Sequence, residues 1–192
     1  MKPETIIGLS GRKESGKDTV FNLLVGLQSC RFAFADALKE EVCAVLGDSV
    51  LAQNLHKNHY RKLWQAWGDF RRAVNSEYWI NALAFTLLRS EEPNTTIAVI
   101  TDVRYPNEFE WIKSRGGFMV RVERHPPHSW WQRWTRPREH SGETALDHHK
   151  FDFIVRNHGD LDHLAREVSR LVEFIASNSN HRGKSRAALA HH

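Results

Sequence analysis

The stretch Thr5-Ile6-Ile7-Gly8-Leu9-Ser10-Gly11-Arg12-Lys13-Glu14-Ser15-Gly16-Lys17-Asp18-Thr19 decides the fold. Its first five residues are a mostly apolar run of strand length. From Lys17 the spacing changes, and Val20, Phe21, Leu23, Leu24 and Leu27 share one face of a helix that reaches Leu27. Between the two, Gly11 to Lys17 matches G-x-x-x-x-G-K, directly after a strand and directly before a helix. Gly11 and Gly16 allow backbone angles that turn successive N–H groups onto an anion, and the helix N-terminus adds partial positive charge. Lys17 is placed to reach the β- and γ-phosphates of a nucleotide, with Lys13, Glu14, Ser15 and Thr19 completing the loop. Asp18 stands where serine or threonine ordinarily holds Mg2+. Two readings stay open: Asp18 binds the ion, directly or through water, or it favours the helix N-terminus while Thr19 meets a phosphate.

Working outward, Arg31-Phe32-Ala33-Phe34-Ala35 reads as a second strand, and Asp36 as the cap of a helix running to Leu46. Leu55 to Leu88 is mostly helical, interrupted at Gly68 and again at Asn75-Ser76, with Ser76 capping the next helix. Ile97-Ala98-Val99-Ile100 is a continuous apolar run, as expected of a parallel strand covered on both faces. Thr101-Asp102 follows it, and two readings stay open for this carboxylate: a place near a metal beside the phosphate loop, or an N-cap or turn role. Pro106 to Ser114 reads as a helix closed by Gly116-Gly117. Phe118 to Val122 and Phe153 to Val155 are the fourth and fifth strands, and Leu161 to Ile175 is a closing amphipathic helix.

This alternation predicts an α/β domain of three layers with a central parallel sheet of about five strands. Its strand carboxyl ends share one edge, where such sheets bind ligands. Residues 1–176 form the single domain. Segments 54–75 and 125–150 are too long for simple connections and read as a helical substrate-binding insertion and a lid. Residues 177–192 lack apolar periodicity and read as a flexible tail.

Composition narrows the class. At 192 residues, 41% hydrophobic and 26% charged, the chain can bury roughly 70% of its unfolded surface without a disulfide or metal staple. Cys30 and Cys43 make neither a disulfide framework nor a zinc site, and read as small apolar fillers in a reduced compartment. No run approaches about 18 apolar residues, and Met1-Lys2-Pro3-Glu4 does not begin a signal peptide, so a cytoplasmic chain without a membrane partner is expected. A formal charge of +4 and a pI near 9.2 modestly favour an anionic partner, and on charge alone nucleic acid, nucleotide and plain solubility all stay open. The spacings of His125, His128, His140, His148 and His149 match no standard zinc pattern.

Several segments together resemble the deoxynucleoside monophosphate kinases of bacteriophages, within the adenylate-kinase-like P-loop group. They are Gly11–Thr19, Phe34-Ala35-Asp36-Ala37-Leu38-Lys39, Trp67-Gly68-Asp69-Phe70-Arg71, Tyr78-Trp79, Thr101-Asp102-Val103-Arg104-Tyr105-Pro106-Asn107-Glu108, Gly116-Gly117, His140-Ser141-Gly142-Glu143 and Asn157-His158-Gly159. They occur in order and leave out only the tail. The resemblance implies a P-loop NTPase fold and ATP-dependent phosphorylation of a deoxynucleoside 5′-monophosphate to the diphosphate, with Mg2+. In a phage-encoded chain this would happen in the host cytoplasm.

The resemblance also suggests roles for residues. Lys39, Arg71 and Arg104 would grip the acceptor phosphate, the two arginines as bidentate forks, with Arg72 the substitute if the register is off by one. Trp67, Tyr78 and Trp79 would stack on a base or serve the core. Glu108 would orient Arg104 or begin a helix. Asp18 and Asp102 are the metal candidates. Arg133 and Arg136, beside Arg138, Trp130, Trp131 and Trp134, would close with the lid and join Lys17 and Arg104 in charge stabilisation. Gly142 interrupts the family's His-x-Ser-Glu pattern, so no role passes to His140, Ser141 or Glu143. Exposed aromatics such as Trp111 or Trp130 would suit a homodimer.

Two other readings compete. One is a P-loop kinase of a different small phosphorylated metabolite, since phosphomevalonate kinases resemble the same Gly-Lys-Asp start. The other is a basic module that stacks Trp130-Trp131-Gln132-Arg133-Trp134 on single-stranded nucleic acid. The intact Gly16-Lys17 pair ranks that one last.

Overall fold

Strand β1 (Thr5–Ser10) lies at the centre of a parallel sheet with β2 (Ser29–Phe32), β3 (Ile97–Ile100), β4 (Phe118–Glu123) and β5 (Phe153–Arg156), in the order β2-β3-β1-β4-β5. The architecture comes from a computed structural model that describes residues 3–90, 96–124 and 145–189. The helices among the described residues are α1 (Lys17–Leu24), α2 (Phe34–Leu46), α3 (Val50–Leu55), α4 (Lys57–Val74), α5 (Tyr78–Arg89), α6 (Pro106–Ser114) and α7 (Leu161–Leu189).

The period-two alternation of strand side chains builds two cores. Ile7, Leu9, Val99, Phe118, Val120 and Val122 face Val20 and Leu24 of α1 and Leu164, Val168 and Leu171 of α7. Ala98, Ile100 and Met119 face the other way, onto Leu38 and Val42 of α2, Trp79, Ile80 and Leu83 of α5, and Phe109 and Ile112 of α6. The result is three layers, as expected. Because every pairing is parallel, the ends of β1, β3, β4 and β5 and the start of α2 reach one edge. The two neighbours of β1 are β3 and β4, so the crevice for a ligand opens over β1.

Several local expectations are corrected. Helix α1 stops at Leu24, and Val25–Leu27 tightens into a 3-10 turn. Strand β2 begins at Ser29, because its pairing runs from Ser29 opposite Ile97 to Phe32 opposite Ile100. Asp36 does not cap α2. The helix starts at Phe34, and Asp36 lies in its first turn, paired with Arg31 at 2.9 Å. Gly68 does not interrupt α4, which runs through it to Val74. At the start of α5 the Asn75 side chain, rather than Ser76, accepts the Glu77 N–H at 3.0 Å. Helix α7 continues past Ile175 to Leu189, where a tail was expected. The Ser177 and Asn178 side chains bond back to the carbonyls of Glu173 and Phe174, so these polar residues ride on the helix.

Candidate active site

The turn from β1 into α1 has the backbone of a phosphate nest. Gly11 and Gly16 adopt φ of +152° and +102°, and Glu14 also has a positive φ, 63°. Cβ atoms at Gly11 and Gly16 would run into the Val122 carbonyl and the Asn157 amide, so only glycine fits either place. The Lys17 ammonium folds over the loop and donates to the carbonyls of Gly11, at 2.7 Å, and Arg12, at 2.9 Å. That places the cation at the mouth of the turn. Asn157, just beyond β5, donates its side-chain amide to the Ser15 carbonyl at 2.9 Å, and its own N–H bonds to the Glu123 carbonyl at 2.7 Å. Lys13 is exposed and pairs with Glu14 at 3.3 Å. Asp18 is exposed on the first turn of α1, and Thr19 is half-buried beside it.

Next to this loop, the backbone beyond β3 is tied to β1 by the Val103 N–H, which donates to the Leu9 carbonyl at 3.1 Å. Asp102 accepts the N–H groups of Phe34 and Ala35 at 2.8 and 2.9 Å, one on each oxygen, and so caps α2. Burial pushes its carboxyl up. The two N–H groups and the nearby Arg104 pull against that, and Asp36 adds to the rise. Glu108 is 3% exposed and accepts the N–H groups of Arg104 and Tyr105 at 2.8 and 3.1 Å, which holds the β3–α6 turn. Burial raises its carboxyl to about 7, with the negative Asp102 adding to the rise and the two N–H groups and Arg72 opposing it. Glu108 therefore begins the helix and fixes the backbone of Arg104, whose side chain is exposed at this edge. The Arg72 guanidinium lies over the Tyr105 ring at 4.1 Å.

A second cluster joins α2, α4 and α5 around Glu41, a residue the motif reading passed over. Its carboxylate accepts Trp67 Nε1 at 2.7 Å, Arg71 Nε and Nη2 at 3.0 and 3.1 Å, and the Tyr78 hydroxyl. Its one signal in the sequence is its place on the buried side of α2, between Leu38 and Val42. Of the two readings open to Trp79, base stacking and the core, the structure favours the core: the ring is 2% exposed and donates its indole N–H to the Gly68 carbonyl. Lys39 turns to α3 and α4, where it bonds Asn54 at 3.0 Å and lies 5.3 Å from the Trp64 ring.

Arg133, Arg136, Arg138, Trp130, Trp131, Trp134, His125, His128 and His140 lie outside the described residues. The described end of that segment is anchored by Asp147, which meets Arg12 of the loop at 3.8 Å and also pairs with Arg121. Among the described residues no three His, Cys, Asp or Glu side chains gather as a metal cage. Mg2+ needs no such cage, since one or two carboxylates with phosphate and water suffice. Asp18 fits that donor set. Asp102 fits it through the lone pairs that its two backbone bonds leave.

Solved structures share this layout. Dephospho-CoA kinase from Campylobacter jejuni is similar at a TM-score of 0.55 and 9% identity, over 90% of this chain and 98% of that one. The protein TT1252 from Thermus thermophilus gives 0.51 and 20%, with the same coverage. Identities this low show the fold alone, and with the nest after β1 that fold is the α/β fold of P-loop kinases. The model of the deoxynucleotide monophosphate kinase family matches residues 47–168, more than half of the sequence, and the chain belongs to that family. It is a nucleotide kinase, a phosphotransferase that uses ATP. The matched span starts after the phosphate loop, so loop and family point to this activity independently. No helix among the described residues is long and apolar enough to cross a membrane.

Proposed function

We propose that this chain transfers the γ-phosphoryl group of ATP to a deoxynucleoside 5′-monophosphate across the crevice above β1. One observation carries the reading: a single sheet edge holds the Lys17 nest and, beside it, the Arg104–Tyr105 turn with Arg72 stacked upon it. Phosphoryl transfer asks a protein mainly to align two phosphates and to neutralise the migrating charge. The nest N–H groups and Lys17 bind the donor polyphosphate. Arg104, with Arg71 or Arg72, grips the acceptor phosphate and holds its oxygen in line. Mg2+ at Asp18 and Asp102 supplies positive charge to the donor phosphates when bound. The setting is the cytoplasm, where ATP is plentiful. The matched family favours a nucleotide over another phosphorylated metabolite as the acceptor.

The test is ADP release by the purified chain with Mg2+ and ATP against dAMP, dGMP, dCMP, dTMP and base-modified monophosphates. Release that depends on at least one of them is expected. ATP turnover indifferent to the whole panel would refute the proposal.

A further inference from the structure

The Glu41 cluster contains three of the side chains from the acceptor motifs, Trp67, Arg71 and Tyr78, all bonded to one carboxylate. The geometry points to Glu41 as a positioning residue of the acceptor site, which aims Arg71 at the monophosphate and fixes the two aromatic walls beside it. This inference rests on the kinase reading above and adds a residue to it.

Glu41 takes the side-on pair of Arg71 donors, Nε and Nη2. The end-on fork, made by Nη1 and the outer hydrogen of Nη2, faces away from that carboxylate and matches the spacing of two phosphate oxygens. The guanidinium is also flanked by rings, 4.8 Å from Tyr78 and 5.5 Å from Trp67. A flexible side chain is thus set in one orientation before any ligand arrives, and less rotamer entropy is lost on binding. The arrangement is not sealed: 34% of the Arg71 side chain and 25% of the Glu41 side chain remain accessible. The Trp67 indole shares Oε2 with Arg71 Nε and the Tyr78 hydroxyl shares Oε1 with Nη2, so one carboxylate ties both rings to the guanidinium.

The experiment compares Glu41→Gln, Glu41→Asp, Arg71→Ala and Glu41→Gln/Arg71→Ala with the wild type, using the best acceptor of the panel. KM is measured for each substrate, with calorimetry of the monophosphate alone and Tm as the fold control. Glu41→Gln is expected to raise the monophosphate KM and Kd about tenfold while the ATP KM stays within about twofold, because a charged hydrogen-bond partner is lost at one site only. Glu41→Asp keeps the charge and should recover part of that loss. In the Arg71→Ala background Glu41→Gln should add nothing further. An unchanged monophosphate KM, equal rises in both KM values, or additive effects in the double variant would overturn the inference. If Glu41→Gln fails to fold, Glu41→Asp decides by the same split, a smaller rise confined to the monophosphate. A wild type that phosphorylates no monophosphate would remove the kinase reading itself. An active wild type with unselective Glu41 variants would remove only this inference.

Discussion

Asn157 and Ser15 are 142 positions apart in the chain and 2.9 Å apart in the fold, the amide of one donating to the carbonyl of the other. The end of β5 therefore braces the turn after β1. Holding the Ser15 carbonyl fixes the plane of its peptide unit, and with it the direction of the Gly16 N–H at the start of α1. Asn157→Ala removes one hydrogen bond, at a cost of about 1 kcal/mol in stability, and releases the loop. The ATP KM should rise about tenfold with the monophosphate KM unchanged, checked by steady-state kinetics with each substrate varied in turn. Asn157→Asp should be worse, because its oxygens would face the Ser15 carbonyl and place negative charge beside the polyphosphate.

Gly16→Ala tests the same contact from the other side. At φ of +102° a Cβ strains the backbone by about 1–2 kcal/mol, and it also meets the Asn157 amide. Gly26→Ala is the control, since no atom lies within 4 Å of the added Cβ. Thermal denaturation should show a lowered Tm for Gly16→Ala only, together with loss of ATP binding.

Glu108 gives a pH signature. Its carboxyl is raised from 4.5 to about 7 in the fold, so between these values the native state holds more protons than the unfolded chain. Stability is then fully present below about 4.5 and declines as pH rises through 7, by up to about 3 kcal/mol for a shift of this size. Urea denaturation at pH 5 and pH 8 should show this fall in the wild type and a flatter profile in Glu108→Gln. Parallel profiles would show that Glu108 titrates normally.

What the sequence reveals depends on how far apart the cooperating residues lie. The phosphate loop and helix α6 are legible because their signals are local: two glycines and a lysine in one turn, and Pro106, Glu108 and Gly116 around one short helix. Asp102 is legible only as a carboxylate just beyond a strand. Its two bonds to the start of α2 span 68 and 67 residues, so nothing nearby reveals that cap. The start of strand β2 at Ser29, two residues before the run at Arg31, is hidden for the same reason, since β3 sets its register. Trp79 and Trp67 look alike in the motif, yet one is enclosed by Gly68 and the core while the other reaches Glu41. Only the packing of α2 against α4 and α5 separates them.

Transfer of radiolabel from the γ-position of ATP tests the central claim most directly, with wild type and Lys17→Ala side by side. Lys17 donates to two loop carbonyls, so its loss should lower Tm by only a few degrees and leave the fold intact. Label should appear in a deoxynucleoside diphosphate with the wild type, at a rate reduced by about 100-fold or more in Lys17→Ala. Label appearing only as inorganic phosphate, or equal transfer by both proteins, would contradict that claim.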